Sequence, residues 1–104
     1  MSQAPLTGKS KLSESDISSR LASLQGWKIQ SGKLHKEYVF RNFQEAFGFM
    51  TSAALVAESM NHHPEWFNVY KKVVVDLTTH EAQGITALDF ELALKMEDLA
   101  ATHA

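Results

Sequence analysis

The sequence predicts an α+β fold, a two-layer sandwich in which a four-stranded antiparallel sheet carries its helices on one face, in the order α-ββ-α-ββ-α. Three observations lead there. Two pairs of short segments rich in aromatic and branched residues are each joined by a turn-sized gap, as in β-hairpins. A long segment with a helical apolar period separates the pairs, which favours hairpins laid side by side over parallel crossovers. At 104 residues the chain suits one domain with a real core, expected over 11–104 behind a flexible N-terminal tail over 1–10.

Each element has a local cause. Ser13 can cap a first helix with Asp16 three residues on, Leu12 and Ile17 are spaced as a hydrophobic staple, and Ile17, Leu21 and Leu24 form a stripe that Gly26 ends. Trp27 to Gln30 and Lys33 to Arg41 read as strands joined by the Ser31-Gly32 turn. Asn42 with Glu45 is a variant of the capping box and opens a helix to about Met60. That helix is apolar over an unusually wide arc: Phe43, Ala46, Phe47, Met50, Ala54 and Ala57 make one stripe, and Phe49, Ala53, Val56 and Met60 a neighbouring one. One sheet needs only one of them, so the second stripe is expected to join copies of the chain into a homo-oligomer. Trp66 to Tyr70 and Lys72 to Thr79 form the second hairpin, with Lys71 near its tip and Val73, Val75 and Leu77 alternating inward. Thr86 with Asp89 caps a last helix whose core stripe is Leu88, Leu92, Met96 and Leu99.

Composition narrows the function. Twelve acidic residues against ten basic ones give a net charge of −2, without the clustered positive potential of a direct nucleic-acid-binding surface. The absence of cysteine removes disulfides, thiolate metal sites and thiol nucleophiles, and permits a reducing interior. The first ten residues resemble neither a secretory signal nor a membrane span. No nucleophile elbow, phosphate loop or dinucleotide fingerprint is present.

Chemistry concentrates in Asn61-His62-His63-Pro64-Glu65-Trp66-Phe67-Asn68 and in Thr78-Thr79-His80-Glu81, which together hold three of the five histidines. Histidine titrates near neutrality, so such a cluster can move protons in both directions without a metal or a covalent nucleophile. The plainer reading of His62 and His63 is a pair of residues capping the preceding helix. His80 tilts the balance, because it ends a strand beside two hydroxyls and a carboxylate. Pro64 extends the backbone at His63, so the adjacent imidazoles diverge, which argues against a metal; a set of Glu58, His62 and His80 is the surviving metal arrangement. Glu58, one helical turn before His62, either orients an imidazole or is an ordinary solvated glutamate. Trp66 either stacks on a flat ligand or fills the rim of the core. His35 and His103 lack such company.

The run His62 to Tyr70, followed by Val73 to Leu77 and Thr79-His80, resembles the signature of the pterin-4a-carbinolamine dehydratases, also called dimerization cofactors of hepatocyte nuclear factor. The likeness extends from the first helix to about Ala100, and Phe47-Gly48-Phe49-Met50-Thr51 is similar to the long helix of the animal members. The resemblance implies dehydration of 4a-hydroxytetrahydrobiopterin to quinonoid dihydrobiopterin, in recycling of tetrahydrobiopterin, with no cofactor and no metal. It implies His62, His63 and His80 as the catalytic set, with ligand contacts from Asn61 to His63 and from Thr78 to Glu81. Glu58 or Glu81 would anchor the amino-pyrimidinone edge and Trp66 would supply an aromatic wall. Position 61 is asparagine where close animal relatives carry an acidic residue. A second, non-enzymatic function is implied as well: stabilising dimers of a homeodomain transcription factor through the Phe43 to Met60 helix. The expected location is the cytoplasm, with the nucleus as a second compartment for that coactivator role.

Overall fold

The computed structural model describes residues 10–103. The expected tail therefore lies outside the described residues except for Ser10. The elements are α1 (Glu14–Leu21), β1 (Lys28–Gln30), β2 (Lys33–Val39), α2 (Phe43–Met60), β3 (Glu65–Val69), β4 (Lys72–Leu77), a 3-10 turn (His80–Ala82) and α3 (Ala87–His103). The four strands make one antiparallel sheet in the order β1-β2-β4-β3. This is the α+β arrangement that the pattern predicts. No helix among the described residues is long and apolar enough to cross a membrane.

The helix starts follow their caps. Ser13 Oγ accepts the Asp16 N–H at 3.1 Å, and Asn42 Oδ1 accepts the Glu45 N–H at 2.9 Å. Glu45 does not close the reciprocal half of a capping box; its carboxylate reaches one residue further back, to the Arg41 N–H and guanidinium. At the first hairpin, Ser31 and Gly32 both have positive φ (53° and 76°), the geometry that a two-residue turn between twisted strands needs. The first helix stops at Leu21, short of Gly26. Leu24 still reaches the core, from a turn closed by its N–H on the Leu21 carbonyl.

Strand parity sends Leu34, Tyr38, Val73, Val75 and Leu77 to one face, where they form the core with Phe49, Phe90, Leu92 and Met96 from α2 and α3. The two stripes of α2 divide differently from the expectation. Ala46, Phe49, Ala53 and Ala57 are buried, and Val56 and Met60 pack partly against the core, so the stripe assigned to self-association faces inward. Phe43, Phe47 and Leu55 are the large apolar residues of α2 that stay exposed. The reason is size: the three alanines let α2 approach the sheet and α3 closely around Phe49, a preference that apolar periodicity does not encode.

Candidate active site

The stop of α2 places the first histidine. Asn61 adopts the left-handed conformation (φ 51°, ψ 42°); its N–H bonds the Glu58 carbonyl and the His62 N–H bonds the Ala57 carbonyl, both at 3.0 Å. This is the Schellman arrangement, and asparagine is one of the few side chains that accept that backbone readily. The turn carries the His62 ring inward. His62 is buried, with Nε2 2.6 Å from Oδ1 of the fully buried Asp89. The other carboxylate oxygen, Oδ2, accepts the Thr79 hydroxyl and the Thr86 N–H, each at 2.9 Å.

Asn61, His62, His63, Pro64, Glu65, Thr78, His80 and Glu81 line a hollow of about 380 Å³, a size suited to a small heterocycle. His63 is exposed on its rim, and its Nε2 lies 2.8 Å from Glu58 Oε1. His80 opens the 3-10 turn after β4 and sits 3.2 Å through Nε2 from Glu65 Oε2. Lys33 donates to Glu65 Oε1 at 2.6 Å. That hydrogen bond, reinforced by the charges of Lys33 and His80, holds the Glu65 carboxyl below the usual carboxylate range and raises the Lys33 ammonium.

Six of the nine residues singled out from the sequence thus line one hollow: Asn61, His62, His63, Thr78, His80 and Glu81. Glu58 meets it through His63 and not through His62, the imidazole one helical turn away. Thr79 lies behind the wall, 1% exposed and bonded to Asp89 and Thr86. Trp66 is elsewhere: it pairs with Val75 across the sheet and shares its inward face, so it lines an apolar hollow with Phe47, Met50, Thr51, Ala54 and Leu55. Glu58, His62 and His80 each have a different partner, and among the described residues no three His, Asp or Glu side chains are placed to hold a metal ion.

Two residues of the site escaped the sequence reading. Asp89 was legible as a helix cap, and it does accept the Thr86 N–H; only the fold shows its second oxygen on His62. Glu65 was visible within the motif, and strand alternation opposite to Trp66 is the signal that turns it toward His80. A larger hollow of about 660 Å³ between the end of α1 and α3 includes Glu97 and Asp98 but no histidine.

The geometry has counterparts among known proteins. The sequence model of the family described as pterin 4 alpha carbinolamine dehydratase matches residues 10–99. Two bacterial relatives carry the name "Putative pterin-4-alpha-carbinolamine dehydratase". The one from Solibacter usitatus is 63% identical over 88% of this chain and 96% of its own length. The other, from Rhizobium rhizogenes, is 55% identical over 90% and 95%. A crystal structure of a transcriptional coactivator/pterin dehydratase from Brucella melitensis superposes with a TM-score of 0.84 at 44% identity, covering 86% of this chain and 98% of that one. With the match spanning every element from α1 into α3, both hairpins and the histidine hollow between them, the chain belongs to the pterin 4 alpha carbinolamine dehydratase family.

Proposed function

We propose that the chain dehydrates 4a-hydroxytetrahydrobiopterin to quinonoid dihydrobiopterin and water by histidine acid/base catalysis, as a step in tetrahydrobiopterin recycling. The observation that carries this reading is the placement of two differently partnered imidazoles, His62 against Asp89 and His80 against Glu65, on one small hollow. The reaction needs such a pair. An acid protonates the hydroxyl on the ring carbon, the C–O bond breaks as the lone pair of the adjacent nitrogen forms the C=N bond, and a base removes the N–H proton of the resulting cation. His62, whose Nε2 is engaged by Asp89, acts as base through Nδ1; His80, held beside the Glu65 carboxylate, is the acid; His63 is the third member of the set. Asn61, Thr78 and Glu81 hold the pterin, with Glu58 acting through His63. No metal or cofactor enters this scheme, and the cytoplasm is the compartment it implies.

Stopped-flow absorbance with a synthetic carbinolamine tests the reading. Replacing His62 or His80 with alanine is expected to lower catalysed dehydration by on the order of 10²-fold or more with the fold retained; unchanged turnover in both variants would sink it.

A second reading has its own observation. Phe43 and Phe47, whose rings lie 5.5 Å apart, and Leu55 are all about half exposed or more along α2. Such a stripe suits a helix-to-helix contact, either between copies of this chain or with a homeodomain transcription factor, the coactivator role that takes place in the nucleus. The name of the Brucella protein includes a coactivator activity. Phe47→Asp is expected to shift the light-scattering mass to a smaller species; an unchanged oligomer would exclude this face.

A further inference from the structure

We propose that Thr79 and Thr86 are positioning residues of the site: their hydroxyls form a one-way hydrogen-bond chain that fixes Asp89 and, through it, holds His62 as the Nε2–H tautomer. The inference rests on the reading of His62 as a catalytic base.

The direction of the chain follows from counting protons. Thr79 Oγ1 lies 2.7 Å from Thr86 Oγ1 and 2.9 Å from Asp89 Oδ2, and it has one hydrogen to give. A carboxylate only accepts, so that hydrogen belongs to Asp89; otherwise two sets of lone pairs would face each other between fully buried groups. The contact between the two threonines must then be donated by Thr86. Thr86 Oγ1 in turn accepts the Leu88 N–H at 3.2 Å, one of the first-turn amides of α3 that have no partner within the helix. The sequence of donors is therefore Leu88 N–H to Thr86, Thr86 to Thr79, and Thr79 to Asp89 Oδ2. The Thr86 N–H adds a second donor to the same oxygen. No buried side-chain oxygen or nitrogen among the described residues is left without a partner.

The consequence reaches the imidazole. With Oδ2 committed to Thr79 and Thr86, Oδ1 is the oxygen that meets His62 Nε2, at 2.6 Å. The proton in that contact sits on Nε2, and Nδ1 is left as the ring nitrogen that can accept. Thr79, Thr86 and Asp89 are 1%, 0% and 0% exposed, so none of them contacts a ligand in the hollow. Thr79 is pinned further by its N–H on the Gly84 carbonyl at 2.9 Å. Its neighbours Thr78 and His80 line the hollow, while Thr79 faces the opposite way and acts through Asp89.

Nitrogen-15 NMR on histidine-labelled full-length chain reads the tautomer directly, at a pH where the imidazole is neutral. The wild type is expected to show His62 as Nε2–H. Thr79→Val, near-isosteric but without the hydroxyl, is expected to populate the Nδ1–H form and to lower kcat by roughly tenfold to a hundredfold, with KM changed by less than about twofold because no ligand contact is lost. Thr79→Ser should restore both. Thr86→Val breaks the chain one link earlier and is read the same way. A wild-type His62 in the Nδ1–H form overturns the proposal, as does a folded Thr79→Val that keeps the wild-type tautomer and kcat. The spectrum reports on the chain whether or not a pterin is turned over, so failure of the dehydratase reading and failure of this inference are told apart.

Discussion

Helix α3 carries two carboxylates about two turns apart that reach back to the sheet and its loops, and they are partnered in opposite ways. Asp89 binds an imidazole through one oxygen and threonine and backbone donors through the other. Glu97 gathers three donors on Oε2: Trp27 Nε1 at 3.0 Å, Lys36 Nζ at 2.8 Å and the Tyr38 hydroxyl at 2.5 Å. Burial alone would raise the Glu97 carboxyl, but these hydrogen bonds outweigh it and hold the group below its ordinary range. Burial, then the bond to Glu97, pushes the Tyr38 phenol up. Both groups move away from neutrality, so the cluster keeps its protons where they are. At Asp89 the partner is histidine, the side chain whose ordinary range spans neutrality. The same residue class on one helix thus lashes three fixed-charge or neutral donors at one end and holds an imidazole at the other, and the partner decides what the carboxylate can do.

The largest effect that should separate the two is Asp89→Asn. An amide can still accept the Thr79 and Thr86 donors through its oxygen, but its NH₂ then faces His62 Nε2 and favours the Nδ1–H tautomer. Turnover is expected to fall by on the order of 10²-fold or more, measured by stopped-flow dehydration, with the far-ultraviolet circular dichroism unchanged. An active Asp89→Asn would place Asp89 with Glu97 as a structural group and erase the contrast.

Much of this was readable in advance, and the omissions have a common physical origin. The caps at Ser13, Asn42 and Thr86, the Ser31-Gly32 turn and the alternation of Val73, Val75 and Leu77 are local signals, set within four or five residues, and each appears in the structure. The gathering of His62 and His80 was legible because both lie at element ends. Asp89 meeting His62 across 27 positions, Glu97 meeting Trp27 across 70 and the inward facing of Phe49 are long-range facts. They depend on how α3 and α2 lie on the sheet, and no period of the sequence states that. Even the displacement of Trp66 from the site is a matter of parity: starting β3 at Glu65 settles which of two adjacent side chains faces the helices.

Glu97→Gln supplies the smaller, complementary effect. Glutamine keeps an acceptor but loses the charge, so Trp27 and Tyr38 exchange charge-assisted bonds for neutral ones and Lys36 loses its counter-ion. A loss of about 1–3 kcal/mol is expected in urea denaturation at neutral pH, while dehydration by the folded protein stays near the wild-type rate because the cluster lies away from the histidine hollow. The pH dependence has a fixed sign. The Glu97 carboxyl is depressed in the folded chain, so its contribution is present above the ordinary glutamate value of about 4.3 and disappears as pH falls through the lower folded value. Glu45 and Glu65 are depressed as well, but they remain in both proteins and cancel in the difference. The stability gap between wild type and Glu97→Gln should therefore narrow on acidification below the ordinary glutamate range. A gap that stays constant into acid would mean that the charge of Glu97 does not hold the cluster, and that shape and packing around Trp27 and Tyr38 hold it instead.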